Sequence, residues 1–395
     1  MGTHRRYTRS TIALWILGLT SFGIGLDEFV IPALLPDIAQ TFQVTIVAAG
    51  FLVTAYALGV AVGGPFLIVA TLRMQRKRLL LGLVGCFVLG NVLCATAPTY
   101  NLLLVGRLVV ALVHGAFVGV ASVVAISLVA PSRSAYAISV VIGGFTLATV
   151  LGVPLGTWIG QVYGWRAVFW GTAAITAITW FGIAVTLPKR SAQNTDVPNL
   201  SLELKALQRP QVLLALAMTA FGFGGLFSAY TYIAPILEQI TGIAPSITPF
   251  VLLFFGIGGV VGNTIGGKAA SKSLMPTLFV FLGTLAVALT VFPFTSRDPL
   301  AATLTVFVLG ATSFGATPGL QTRVINMARD APYLASTLNI TAFNLGNALG
   351  AFSGGLMVQS PLGLGSAPWA GAFLTSIGVA AAVYSIKLER LAPSK

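Results

Sequence analysis

Ionisable side chains are scarce. Asp and Glu together number 9, His 2 and Cys 2 in 395 residues, and charged residues make up 8% of the chain. A water-soluble globular chain carries about 25% charged residues, so this composition excludes a water-facing surface over a fold of this size. With 56% hydrophobic residues and a mean hydropathy of +0.93, the chain belongs in lipid. Its 22 Lys and Arg give a net charge of +13, a balance that in other settings points to nucleic acid. Nucleic-acid binders gather basic residues on one polar face; here they sit in short breaks between apolar runs. They read as topology signals, and no nucleic-acid partner is expected.

The other absences exclude chemistry. Cys86 and Cys94 lie eight apart in one apolar run, where a single helix cannot bring them within disulfide reach. No Cys/His spacing suggests a metal, so both cysteines are assigned to packing. There is no Walker A loop, nucleophile elbow or CxxC pair. The chain is therefore expected to be neither an ATPase nor any other enzyme, and to need no cofactor.

Present instead are twelve apolar runs, each near the roughly 20 residues that a bilayer core requires. They start near Thr11, Thr45, Leu79, Asn101, Tyr136, Arg166, Gln211, Ile247, Met275, Leu300, Pro332 and Trp369. The first is too long for a signal-peptide core and lacks a convincing cleavage site, so it is expected to stay as the first span. With the N-terminus in the cytoplasm, every Lys and Arg except Arg107, Arg166 and Arg297 falls on the inner side. That bias obeys the positive-inside rule and predicts both termini in the cytoplasm. Polar residues cluster between Pro188 and Pro210, which divides the chain into a first six-helix bundle (1–188), a cytoplasmic linker (189–210) and a second bundle (211–395).

The halves repeat weakly. Leu35-Pro36-Asp37-Ile38 at the end of span 1 has a counterpart in Ile236-Leu237-Glu238-Gln239, Leu151 to Gly156 in Leu349 to Gly354, and Gly63-Gly64 in Gly266-Gly267. Parallel six-span repeats around a central loop imply a transporter that binds at the midplane and rocks.

Three charges fall inside spans: Asp27 and Glu28 in span 1 and Arg107 in span 4. Each costs roughly 2.5–3.5 kcal/mol at the bilayer centre on insertion scales, so these residues lead the functional candidates. Neighbours on a helix point about 100° apart, so one acid can face a cavity while the other faces a helix or Arg107. Two roles stay open, a buried ion pair locking spans 1 and 4 and a protonatable carboxylate coupled to substrate. His114, two turns along from Arg107 on the same face, is either a proton relay or a packing histidine. Asp37 and Glu238 sit at outer helix ends and are read as solvated or capping groups.

The 44 glycines concentrate inside spans. Gly152 and Gly156 flank Pro154 in span 5, where small residues permit close sliding contact and proline can bend the helix; a rocking hinge and plain tight packing both fit. In the second half the polar candidates are neutral. Tyr230, Tyr232, Asn263, Gln321, Asn339, Asn344 and Asn347, with Phe221, Phe223, Phe227 and Phe314 nearby, form the mostly apolar set with a few placed polar groups that suits a small-molecule site; interhelical hydrogen bonding is the other role open to each.

These residues resemble the twelve-span drug/proton antiporters of the major facilitator superfamily, in the branch of arabinose-efflux and chloramphenicol-resistance permeases. The likeness rests on Gly25-Leu26-Asp27-Glu28-Phe29 followed by Leu35-Pro36-Asp37-Ile38-Ala39, on Gly106-Arg107-Leu108 through His114-Gly115-Ala116-Phe117, and on Leu151 to Thr157 followed by Gly164-Trp165-Arg166. Tyr230-Thr231-Tyr232-Ile233-Ala234-Pro235 and Ala342-Phe343-Asn344-Leu345-Gly346-Asn347 are also branch-like. The resemblance implies an all-α membrane fold of twelve helices in two pseudo-symmetric bundles. It makes Glu28 the span 1 acid used for protons or substrate, Arg107 the span 4 arginine and Pro154 with its glycines the antiporter motif. The loop between spans 2 and 3 departs from the family pattern: Leu72 replaces its acid, leaving the basic run Arg73, Arg76 and Lys77 to serve the conformational change. Asp27 is an addition to the branch pattern. The implied activity is proton-driven efflux of a small molecule by a monomer in the bacterial cytoplasmic membrane, with the proton gradient as energy source and lipid as surroundings. Proton-coupled uptake of a nutrient, or ligand sensing without transport, are the alternatives.

Overall fold

In hydrocarbon every backbone N–H and C=O must be paired within the chain, and long apolar runs with no alternating polar pattern meet that demand as helices. The computed structural model describes residues 2–71, 74–188, 209–328 and 332–391, and all regular structure among them is helical. The first half comprises α1 (Gly2–Phe29), α2 (Ile31–Phe42), α3 (Ile46–Ala70), α4 (Arg76–Thr96), α5 (Tyr100–Ser127), α6 (Ser134–Leu147), α7 (Val153–Tyr163) and α8 (Trp165–Thr186). The second comprises α9 (Pro210–Ala217), α10 (Gly224–Tyr230), α11 (Thr248–Lys272), α12 (Leu274–Thr295), α13 (Pro299–Met327), α14 (Pro332–Gln359) and α15 (Ala367–Leu391). Three π-helical segments interrupt them: Ala148–Gly152 joins α6 to α7, Met218–Phe223 joins α9 to α10, and Ile236–Ile240 follows the short turn Ile233–Pro235.

Among the described residues 11 helical stretches are long and apolar enough to cross a membrane. The remaining expected span is α14, which has the length at 28 residues but carries Asn339, Asn344 and Asn347, whose amides lower its hydropathy. Residues 189–208, most of the expected linker, and Arg73 of the basic run lie outside the described residues.

Contacts divide the chain into two units, Met1–Ile31 with Val62–Val197, and Pro32–Ala61 with Pro198–Lys395. Relative to a division at the linker, the segment Pro32–Ala61 is grouped with the second half. The reason is visible at Tyr232. A Cβ on Gly50 would come within 2.7 Å of the Tyr232 hydroxyl, as would one on Gly355, so this ring fits only between two bare backbones. The Thr341 hydroxyl also donates to the Ala61 carbonyl at 3.4 Å.

Hydrophobicity does not drive helices together in lipid, so close packing depends on small residues. In the first unit a Cβ on Gly144 would overlap the Gly18 carbonyl, and Gly156 faces Leu26 and Val30, which brings α6 and α7 against α1. Gly90 faces Val110, and Gly106 faces Cys94 and the Gly90 carbonyl, closing α4 on α5. In the second unit Gly258, Gly262 and Gly266 on α11 meet the backbones of Phe307, Ala311 and Gly315 on α13, each series advancing by one turn. Gly262→Val is therefore expected to destabilise the fold by about 1–3 kcal/mol through overpacking, whereas Gly283→Val, with open space around its Cβ, should be near neutral. Denaturant titration in micelles checks this, and equal midpoints for the two variants would refute it.

Candidate functional site

The site begins where α1 ends. Pro32 has no N–H to return to the Glu28 carbonyl, so the helix breaks at Val30 and its last carbonyls lose their usual partners. Arg107 fills one of these vacancies: its Nη1 donates to the Asp27 carbonyl at 3.1 Å and to Asp27 Oδ2 at 2.6 Å. Both side chains are 1% exposed. The guanidinium is buried because Gly90 and Gly106 let α4 and α5 close around it. Of the two neighbouring acids, Asp27 is thus the ion-pair partner.

Glu28, about 100° further around the helix, is half-buried, and among the described residues it makes no hydrogen bond or ion pair. It lies within the field of Arg107 and Asp27. His114 is buried and stacks on Phe145 of α6 at 5.4 Å between ring centroids. Two turns of helix separate it from the ion pair.

Span 5 is built against the same point. Gly152 faces Leu26 and Phe22, and Gly156 faces Val30 and Leu26, so the glycines around Pro154 carry that helix past the Asp27 break. The π segment Ala148–Gly152 precedes the proline directly, a wider turn in the helix that already lacks one donor at Pro154.

The candidates of the second half separate. Phe223, Phe227 and Tyr230 are buried in an aromatic cluster with Phe255, Phe314 and Phe343; Tyr230 stacks on Phe255 at 4.6 Å, and Phe223 meets Phe343 edge-on at 4.9 Å. Tyr232 instead lines a cavity of about 240 Å³ together with Thr45, Thr54, Gly355 and Gln359, and its hydroxyl donates to the Ala351 carbonyl at 3.4 Å. Asn263 is exposed on α11. Asn344 is buried and donates to the Ile340 carbonyl at 3.0 Å, which leaves its Oδ1, and that of buried Asn347, without a hydrogen-bond donor.

Of the basic run, Lys77 caps the end of α8. Its Nζ donates to the carbonyls of Ala184 and Leu187 at 2.7 and 2.6 Å, groups that a helix C-terminus leaves open. Arg76 is half-buried at the first position of α4.

Sequence reasoning missed one network and named two members, Gln321 and Asn339, of another. Arg323, counted there as a loop base, lies inside α13 and is 5% exposed. It donates to Ser385, Gln211 and Glu389 at 2.7, 3.3 and 2.5 Å, tying α13 to α9 and α15. A second chain runs from Thr219 to Asn339, from Asn339 to Gln321 and from Gln321 to Ser336. For Arg323 the available signal was its place two residues after the intramembrane Gln321.

Asp37 and Glu238, the repeat-related acids, lie beyond the apolar stretches Ser10–Phe29 and Pro210–Tyr230. Burial pushes both carboxyls above their ordinary range; for Glu238 a hydrogen bond from Thr248 lowers the value and the charge of Asp37 raises it.

Two predictions follow from these geometries. Removing one partner of a buried ion pair strands the other, at a cost of about 3–5 kcal/mol, so Asp27→Asn and Arg107→Gln should each destabilise strongly and the double variant by less than their sum. Unfolding in micelles measures the coupling, and strict additivity would refute it. Carboxyls held above their ordinary values stabilise the fold below those values and lose that contribution as pH rises through the raised ones. From about pH 4.5 upward, wild type should lose thermal stability more steeply than the variant carrying Asp37→Asn and Glu238→Gln, and equal slopes would refute this.

The chain matches the model of the Major Facilitator Superfamily over residues 17–351. It is 42% identical over 366 residues to the inner membrane transport protein YdhP of Escherichia coli, covering 93% of this chain and 94% of that protein. It is 31% identical over 370 residues to a chloramphenicol resistance protein of Streptomyces lividans, covering 93% and 94%, and 31% identical over 373 residues to a probable sugar efflux transporter of Helicobacter pylori, covering 92% and 93%. The solved structure of the xylose transporter XylE of E. coli, partially occluded and inward open, has the same fold with a TM-score of 0.75 at 15% identity, covering 96% of this chain and 98% of that one. The extended helices, the buried charges at the α1 break and these likenesses over nearly the full length make the chain a member of the Major Facilitator Superfamily, a multi-pass membrane transporter.

Proposed function

We propose that this transporter exports a small molecule in exchange for protons across the bacterial cytoplasmic membrane, with both termini on the cytoplasmic side. The observation that carries the reading is Glu28, a half-buried carboxyl with no hydrogen-bond or ion-pair partner among the described residues, beside an Asp27 carboxylate already neutralised by Arg107. A carboxyl without a fixed counter-ion in a transmembrane segment is the kind of group that exchanges a proton. The resistance and efflux names of the Streptomyces and Helicobacter relatives and the basic loops of the positive-inside pattern support export and orientation.

The cycle follows from that division of labour. Open to the outside, Glu28 takes a proton, and its lost charge leaves the neutral Asp27/Arg107 pair at the break. Open to the cytoplasm, Glu28 releases the proton as substrate enters. Asn344 and Asn347, each with a buried acceptor oxygen lacking a donor, provide hydrogen-bonding positions for a substrate with N–H or O–H groups. The substrate drives transport only by binding the two states differently, and the glycine contacts of span 5 against α1 link the charge state at the break to helix packing. Oligomerisation plays no part in this scheme; the monomer is the working unit.

The test is flux in proteoliposomes with an interior pH dye and a panel of candidate compounds. Export of a compound should be accompanied by proton movement in the opposite direction, and Glu28→Gln should abolish that proton movement. Proton movement in the same direction as the compound would make the protein a symporter, and flux without proton movement in wild type would remove the coupling role from Glu28.

A further inference from the structure

One face of α4 opens onto an apolar groove. Among the described residues Leu81, Gly82, Gly85, Cys86, Val88 and Leu89 form one wall of a groove of about 450 Å³, and Ala177 and Trp180 of α8 form the other. The groove exists because bulk is missing along it. A Cβ added at Gly82 would meet nothing within 4 Å, and one at Gly85 would come within 3.3 Å of Trp180 Nε1. The opposite wall is rigid, since that indole nitrogen donates to the Leu81 carbonyl at 2.8 Å.

The lining is apolar, and at the basic end of the helix the same face carries Arg78. At about 100° per residue, Arg78 points to the centre of the arc spanned by residues 81, 82, 85, 86, 88 and 89. It is exposed, and among the described residues it makes no hydrogen bond or ion pair. With a rise of about 1.5 Å per residue, the distance from Arg78 to Leu89 is about 16 Å, which matches one leaflet of a hydrocarbon core about 30 Å thick.

We infer that the groove between α4 and α8 binds one anionic phospholipid, with an acyl chain lying along Gly82 and Gly85 and its phosphate paired with Arg78. The cation selects the headgroup, because a basic residue near the membrane surface attracts anionic lipid by about 1 kcal/mol. The absent side chains select an acyl chain over packing between helices. A lipid held there sits against the same end of α8 that Lys77 caps, and so adds to the clasp between these two helices.

Cys86 supplies the probe. It is exposed in the groove wall while Cys94 is buried, so alkylation of the native protein by N-ethylmaleimide, followed by intact mass, reads the groove alone. In micelles doped with phosphatidylglycerol, Cys86 should react about three- to fivefold more slowly than in micelles doped with phosphatidylcholine, the upper factor corresponding to about 1 kcal/mol. Arg78→Gln should erase that difference. Gly82→Leu, which has room for its side chain, should fill the groove and make the rate the same in both lipids without unfolding the protein. Equal rates in the two lipids for wild type, or a difference that survives Arg78→Gln, would overturn the proposal.

Discussion

The first unit is organised around a single electrostatic constraint: Arg107 is buried in a setting where a charge is tolerated only with its counter-charge and hydrogen bonds in place. Asp27 supplies both, giving a carboxylate from its side chain and a carbonyl from its backbone. The carbonyl is available only because α1 stops at Val30, and α1 stops there because of Pro32. The pair therefore depends on a broken helix as much as on two side chains. The glycines of α4 and α5 exclude water from the guanidinium, and those of α7 bring a second helix against the residues flanking Asp27.

The second unit solves the same burial problem without charge at its centre. Its aromatic rings fill the volume between α10, α11, α13 and α14, and amide and hydroxyl side chains supply the polar contacts. Its buried arginine is at the far end of α13, where Gln211, Ser385 and Glu389 surround it. An ionic group in one half and neutral acceptors in the other divide proton handling from substrate recognition in the reading offered above.

Much of this was legible in the sequence, for physical reasons that differ by residue. The spans could be read because lipid forces long apolar helices, and Asp27, Glu28 and Arg107 could be singled out because charge in a span is costly. Which acid meets Arg107 could not be read, since it depends on the rotation of α1 about its own axis. Arg323 was hidden by a different effect: near a helix end, a buried arginine and a topology signal have the same sequence appearance. Tyr232 was grouped with the aromatic cluster by its proximity to Tyr230, yet it lies between Gly50 and Gly355, glycines far from it in sequence. The twelfth span, α14, is the least apolar, because asparagines that pair or sit buried inside the unit lower the apolarity of a helix just as exposed ones would.

The π segments explain why the two halves look less alike than their folds do. Each such turn accommodates roughly one more residue than an α turn, so it acts as a one-residue insertion that leaves the helix continuous. The first half has its π turn in span 5, at Ala148–Gly152, whereas the second has two in and after span 7, at Met218–Phe223 and Ile236–Ile240. Side chains beyond Ala148–Gly152 and Met218–Phe223, where the helix continues, are rotated by about 100° relative to an uninterrupted helix, and the halves take that rotation in different spans. A letter-by-letter comparison of the two six-span repeats therefore loses register at these turns.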